Sequence, residues 1–378
     1  MSGYEVAVRE LAALGEGPTW DAERQRLIWV DILGSRVHTY DPSSGRRTVL
    51  RTEQHVGAAK PRAGGGLVLN LRDGVGLHGP DGFRWLHREP VPGRRANDAA
   101  VAADGSLWAG TMRYDEAPGG GTLFRITGDG TVEPVLDDVA VSNGTGWSPD
   151  GRLMYYVDSP TRRIDVFDMV DGAPVNRRPL AEIADGEGMP DGLTVDADGC
   201  VWVALWDGGA VRRYTPDGEL DRVVNLPVRR PTACAFGGAE LTDLYITTGR
   251  VGLDAPHPLS GSVLVVPTGH PWPRTWWILS APLTEKALPI YGSGRLVRSC
   301  ERYSTCRTIG ARYGTTRPEP QAIPRRRERT ARRRKSGLRR PGHRRRRTGL
   351  QRTHPCPLLE PLPGRRRHQP GRDGRGLP

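Results

Sequence analysis

The chain is poor in the residues that most often announce a function. It has five cysteines in 378 residues, and no two form a Cys-x-x-Cys pair. That excludes a disulfide scaffold and a cysteine-rich zinc module. Cys200 opens an apolar run and Cys234 reads as part of an apolar turn, so both are expected as small buried hydrophobes. Cys300, Cys306 and Cys356 have no metal-ligand spacing. No run approaches the 18 apolar residues of a membrane helix, and the mostly apolar stretch 276–283 is short and broken by Pro282. The opening residues Met1-Ser2-Gly3-Tyr4-Glu5 lack a basic region followed by an apolar one, so no secretory signal is expected. These absences lead to the expectation of a soluble cytoplasmic protein without membrane contact, a monomer or weak dimer. His38, His55, His78, His87 and His257 lie in no glycine-rich elbow and beside no paired carboxylates, which argues against a Ser-His-Asp hydrolase. No glycine loop suits a phosphate, and Gly64-Gly65-Gly66 leads into a strand and reads as a turn.

Charge is present in both signs but segregated. The net of +12 hides a basic end, because residues 268–378 hold 26 Arg, 2 Lys and 6 acidic residues, a net of +22. Residues 1–267 keep 27 basic and 37 acidic residues, a net of −10. The basic segment has no hydrophobic period, and runs such as Arg325-Arg326-Arg327 and Arg344-Arg345-Arg346-Arg347 offer little to bury, so a largely disordered extension is expected. One reading makes it a nucleic-acid arm. The favoured reading is an extension without selected function, of the kind a GC-rich gene yields in a shifted frame. It has no patterned aromatics on which bases would stack, which counts against nucleic acid as a partner.

What is abundant is repetition. Apolar runs start at residues 27, 67, 107, 154, 201 and 244, in steps of 40, 40, 47, 47 and 43. They include Leu27-Ile28-Trp29-Val30-Asp31, Met154-Tyr155-Tyr156-Val157-Asp158 and Val201-Trp202-Val203-Ala204-Leu205. Their β-branched and aromatic content suits strands buried on both faces. Asp-Gly turns at 104–105, 150–151 and 198–199 precede three of them. A period of 40 to 50 residues with several strands per unit predicts an all-β, six-bladed β-propeller over residues 1–267, followed by the extension 268–378. Tyr4–Val8 and Ser262–Val266 both read as strands and are expected to complete the sixth blade together.

Polar residues recur at one phase of this period, about ten residues before a signature strand. They are Glu16 in Gly15-Glu16-Gly17-Pro18, Asn97 in Arg95-Ala96-Asn97-Asp98, Asn143 in Ser142-Asn143-Gly144 and Asp191 in Pro190-Asp191-Gly192. Singly, each reads as a turn residue, since Asn and Asp bond their own backbone. At matched positions of a propeller they converge on the central channel. Oxygen ligands of these types suit Ca²⁺, Mg²⁺ or Mn²⁺ and leave only weak occupancy to Zn²⁺.

With Leu14-Gly-Glu-Gly-Pro-Thr-Trp20, Trp108-Ala-Gly-Thr-Met112, Tyr155-Tyr-Val-Asp-Ser159, Met189-Pro-Asp-Gly192 and Phe236-Gly-Gly238, these segments resemble the senescence-marker-protein/gluconolactonase/regucalcin-like family from about residue 5 to 267. The resemblance implies a six-bladed propeller with one divalent cation, Ca²⁺ first, held by Glu16, Asn143 and Asp191. It also implies substrate contacts at Arg95 and Asn97, and an acidic contact from the short 114–121 loop, at Asp115 or Glu116, with Glu116 taken. The activity it implies is hydrolysis of a sugar lactone, with Asp191 as both ligand and general base. A calcium-binding regulator without turnover is the alternative.

Overall fold

The computed structural model describes residues 3–63 and 65–272. The Arg-rich extension from residue 273 on, with Cys300, Cys306 and Cys356, lies outside them, as does the expectation that it is disordered.

The described chain is a ring of six four-stranded antiparallel sheets. β1 (Glu5–Val8) comes first in sequence and is placed last in the ring. Blade 1 is β2 (Gly15–Asp21), β3 (Arg26–Asp31), β4 (Arg36–Tyr40) and β5 (Arg47–Arg51). Blade 2 is β6 (Val56–Pro61), β7 (Leu67–Leu71), β8 (Gly74–Gly79) and β9 (Gly82–Arg88). Blade 3 is β10 (Arg94–Val101), β11 (Leu107–Arg113), β12 (Gly121–Ile126) and β13 (Val132–Val139). Blade 4 is β14 (Ser142–Trp147), β15 (Leu153–Asp158), β16 (Arg163–Val170) and β17 (Ala173–Glu182). Blade 5 is β18 (Met189–Val195), β19 (Val201–Trp206), β20 (Ala210–Tyr214) and β21 (Leu220–Asn225). Blade 6 is β22 (Pro231–Gly237), β23 (Asp243–Thr248) and β24 (Val263–Pro267), completed by β1. The pairing Glu5↔Val265, Val6↔Leu264 ties the two ends of the ring, as the sequence predicts. Among the described residues no helix is long and apolar enough to cross a membrane.

The six signature runs are the second strands of the blades. Each is flanked by two strands of its own blade and packs its faces against the blades on either side. Trp29, Trp108, Tyr155, Tyr156 and Trp202 are accordingly fully buried. Edge-on ring pairs such as Trp108–Trp147 (5.5 Å) and Trp202–Phe236 (5.9 Å) join neighbouring blades. Where a signature run ends in aspartate, the carboxylate is structural. Asp31 accepts from the N–H of Leu14, and Asp158 accepts from those of Ala140 and Val141, so each holds the segment that enters its inner strand. Cys200 is buried as expected. Cys234 is buried too, but it lies within β22 and not in a turn, because its short apolar run is the inner strand of blade 6.

The chain continues past β24 for five described residues that stay on the propeller. The Trp272 N–H donates to Leu241 O, and the Ala197 N–H donates to Pro271 O, both at 2.9 Å. The Trp272 indole packs against three apolar clusters, of blades 5 and 6, of blades 6 and 1, and of blades 3 and 4. A side chain that touches opposite sides of a ring lies near its axis, so Trp272 closes one end of the channel. A chain ending at Pro267 should therefore be about 2 kcal/mol less stable than one ending at Trp272, from the lost apolar contact. In melting experiments the gap should be roughly 5 °C. Equal melting temperatures would show that Trp272 is dispensable.

Candidate functional site

The inner strands β2, β6, β10, β14, β18 and β22 have a common irregularity. In every one the pairing with its second strand shifts register: at Glu16/Thr19, Val56/Ala58, Ala96/Ala99, Ser142/Thr145, Pro190/Leu193 and Pro231/Ala233. A bulge leaves a residue unpaired and re-aims its side chain. Gly57, Asn97, Asn143, Asp191 and Thr232 lie unpaired within five of these breaks, and Glu16, still paired with Val30, stands at the edge of the sixth, one residue from each blade. Gly57 is dictated by space, because a Cβ there would lie 2.1 Å from the Asn97 carbonyl oxygen. Thr232 is occupied, its hydroxyl donating to Gly15 O at 2.6 Å. That leaves Glu16, Asn97, Asn143 and Asp191, all buried.

Two of these have orphaned oxygens. Asn143 donates its amide Nδ2 to Ser159 Oγ at 2.9 Å, while its Oδ1 has no hydrogen-bond partner among the described residues. Asp191 Oδ1 likewise has none. Burial, then the charges of Glu16 and Asp98, raise the Asp191 pKa well above its ordinary value, while a hydrogen bond with Asn143 acts the other way. Burial, then the charge of Asp98, push the Glu16 carboxyl up to about 8. Two mutually repelling buried carboxyls, one with an unsatisfied oxygen, beside the unsatisfied amide oxygen of Asn143 form an arrangement that a cation would complete. The donor set is all oxygen and fits a hard divalent ion. Glu16, Asn143 and Asp191 are the residues that would hold it.

Asn97 is differently engaged. Its Oδ1 accepts from Arg95 Nη1 at 2.7 Å and its Nδ2 donates to Ser142 O at 2.9 Å, linking blade 3 to blade 4. Arg95 Nη1 also donates to Ala96 O at 2.9 Å. Arg95 is only 7% exposed and feels the charges of Glu16, Glu116 and Asp191. In the loop between β11 and β12, Asp115 is held by Arg113 through two bonds of 2.7 and 2.6 Å. Glu116 is exposed, has φ of 54°, and its charge acts on Arg95.

Sequence reasoning passed over two mouth residues. His55 Nδ1 and the Tyr114 hydroxyl lie 2.7 Å apart, with their rings edge to face. The charge of Arg95 acts on both. Tyr114 is 45% exposed, so it offers an aromatic face beside the guanidinium. They come from blades 2 and 3, 59 residues apart, and no local pattern marks them.

A second cluster, Asp196, Asp198 and His270, has ligand atoms close enough for a metal. Arg213 already fills it. Its Nε donates to Asp196 at 2.8 Å, its Nη2 to Asp198 at 2.8 Å and its Nη1 to Asp221 at 2.7 Å. Asp196 also accepts from the Trp202 indole N–H at 2.8 Å. A guanidinium supplies the positive charge here, and the group works as a structural ion-pair network.

The family model described as "SMP-30/Gluconolactonase/LRE-like region" matches residues 14–250. A 6-deoxy-6-sulfogluconolactonase of Pseudomonas putida is 38% identical over 278 residues, covering 71% of this chain and 95% of that protein. Regucalcin of Xenopus laevis is 35% identical, covering 68% of this chain and 92% of the relative. Among solved structures, a calcium-binding regucalcin from Agrobacterium tumefaciens superposes with a TM-score of 0.67 at 28% identity, covering 70% of this chain and 93% of the other.

Proposed function

The chain belongs to the SMP-30/gluconolactonase/LRE-like family, and on that premise we propose that it hydrolyses a sugar lactone at the Glu16–Asn143–Asp191 centre, with one divalent cation as cofactor and Ca²⁺ the first candidate. The observation that carries this reading is the pair of buried oxygens without partners, Asn143 Oδ1 and Asp191 Oδ1. A divalent cation, when bound, supplies Lewis acidity toward a carbonyl and lowers the pKa of water. The residues do the rest. Glu16 and Asp191 balance the ion's charge. Asp191 has two oxygens, so one serves as ligand while the other takes the proton from the attacking water. The oxygen of that water bonds to the lactone carbonyl carbon, the ring C–O bond breaks, and the leaving oxygen takes a proton to give the open sugar acid. In this reading Arg95, held by Asn97, steadies negative charge growing on the carbonyl oxygen. Glu116 accepts hydrogen bonds from sugar hydroxyls, and Tyr114 packs a ring against the sugar.

A calcium-binding regulator without turnover would need the same three ligands. It would not need a buried guanidinium and an aromatic rim beside them, which favours the enzyme. The deciding assay is a panel of aldonolactones, neutral and 6-sulfonated, with Ca²⁺, Mg²⁺, Mn²⁺ or Zn²⁺. Cation-dependent opening of at least one is expected. Tight Ca²⁺ binding with no turnover on any would favour the regulator. Arg95→Ala should lower kcat/KM by about 10- to 100-fold, the worth of a charged hydrogen bond, with bound cation unchanged. Tyr114→Ala should raise KM with little change in kcat. If Arg95→Ala strips the cation, the division between ligands and substrate contacts is wrong.

A further inference from the structure

Along the channel lies a cavity of about 170 Å³, with Trp272 in its wall. Its wall is mostly apolar, with Trp20, Trp147, Leu193 and Phe236. Among the described residues, two charged side chains line it, Lys60 of β6 and Asp98 of β10. Lys60 is 8% exposed. Burial lowers its pKa, while the charges of Asp98 and Glu16 act the other way. Its ammonium donates to Thr19 Oγ1 at 2.8 Å. The Thr19 hydroxyl in turn donates to Gly17 O at 3.3 Å, and the Gly17 N–H donates to Glu16 Oε2 at 2.9 Å. Gly17 stands at φ 55° inside the bulge of β2. Hydrogen bonds thus run from a lysine of blade 2, through Thr19, to the carbonyl of Gly17, the residue whose own N–H holds the Glu16 carboxylate.

We infer that Lys60 is a positioning residue for Glu16, acting through Thr19 and the β2 bulge. The inference rests on the reading of Glu16 as a cation ligand. A bulge is soft because its register pairing is broken. A bond from a neighbouring blade stiffens it at little entropic cost, since Lys60 is already immobilised by burial. Burial of Lys60 and Thr19's place against it leave that bond less screened than one in open solvent. The alternative is that Lys60 acts only as a charge. The two differ in sign. As a bare positive charge near the site, Lys60 repels a cation, so its removal tightens binding. As a positioning group it holds Glu16 in place, so its removal weakens binding.

Calorimetric titration of the full chain with Ca²⁺ separates them. Lys60→Met and Thr19→Val should each weaken Ca²⁺ about 10-fold, the scale of one lost hydrogen bond. The double variant should be about 10-fold weaker too and not 100-fold, because both changes cut one chain. Thr19→Val exchanges one hydroxyl for a methyl and keeps the charge, so it carries the test if Lys60→Met does not fold. Unchanged or tighter binding by Lys60→Met, unchanged binding by Thr19→Val, or multiplicative losses in the double variant would each overturn the inference. If the wild-type chain binds none of Ca²⁺, Mg²⁺, Mn²⁺ and Zn²⁺, the cation reading falls and takes this inference with it. A wild type that binds while the variants bind equally well removes the inference alone.

Discussion

Asp191→Asn should leave a folded propeller whose lactone turnover is reduced about 10³-fold, within the range expected on loss of a general base. The substitution is nearly isosteric, so the strand is not disturbed, and it replaces a group that is awkward in the cation-free protein. The Asp191 carboxyl is buried, repelled by Glu16 and Asp98, and has one oxygen without a partner. An amide removes the repulsion, so Asp191→Asn should melt at the same temperature as the cation-free parent or higher. Its Ca²⁺ affinity should fall at the same time, because one anionic ligand becomes neutral. Gained stability with lost activity and lost affinity is the pattern of a residue selected for chemistry. Measured together, turnover, melting temperature and cation titration check it. Retained turnover, or unchanged Ca²⁺ affinity, would remove Asp191 from the centre.

The cation-free protein should also become less stable as pH rises from about 5 to 8. The folded chain holds the Glu16 proton up to about pH 8, whereas an ordinary glutamate releases it near 4.5. Between those values the folded state binds more protons than the unfolded one, so stability falls as pH rises. The contribution is fully present below the unfolded value and lost as pH passes the folded one. Asp191 is shifted in the same direction and adds to the slope. One such group is worth up to about 1.4 kcal/mol per pH unit, and even half of that over three units amounts to a fall of roughly 5 °C in Tm. Saturating Ca²⁺ should reverse the trend, because the ion favours the ionised carboxylates, and an ion at about 100 times its Kd stabilises by about 2.7 kcal/mol. Glu16→Gln should flatten the cation-free slope. Thermal melts in chelator and in Ca²⁺ across pH 5 to 8 supply the check, and parallel slopes in the two series would speak against a carboxylate cation centre.

Much of this molecule was legible in the sequence because a propeller is a repetition. A run that must be buried on both faces recurs wherever a blade recurs, so the six apolar runs gave the blade number and the strand on which each core is built. The polar residues Glu16, Asn97, Asn143 and Asp191 stood out for the same reason, since equivalent positions of a closed ring must meet at its axis. Less was legible wherever the answer depended on contacts between blades. Asp98 stood in plain view beside Asn97, yet the sequence does not say that the bulge sends one toward the mouth and the other toward the cavity. Asp115 and Glu116 were equivalent as letters. Only the bidentate hold of Arg113 on Asp115 separates them.

The sequence by itself determined the architecture and the closure of blade 6 by β1, because these follow from period and phase along the chain. Tertiary structure alone decided which of Glu16, Asn97, Asn143 and Asp191 keep an unsatisfied atom. It joined His55 to Tyr114 and Lys60 to Thr19, and it brought Trp272 to the axis beyond the last strand. Hydrogen-bond partners and burial are set by what lies across the neighbouring blade, often 40 or more residues away. Periodicity carries no record of which side chain is found there.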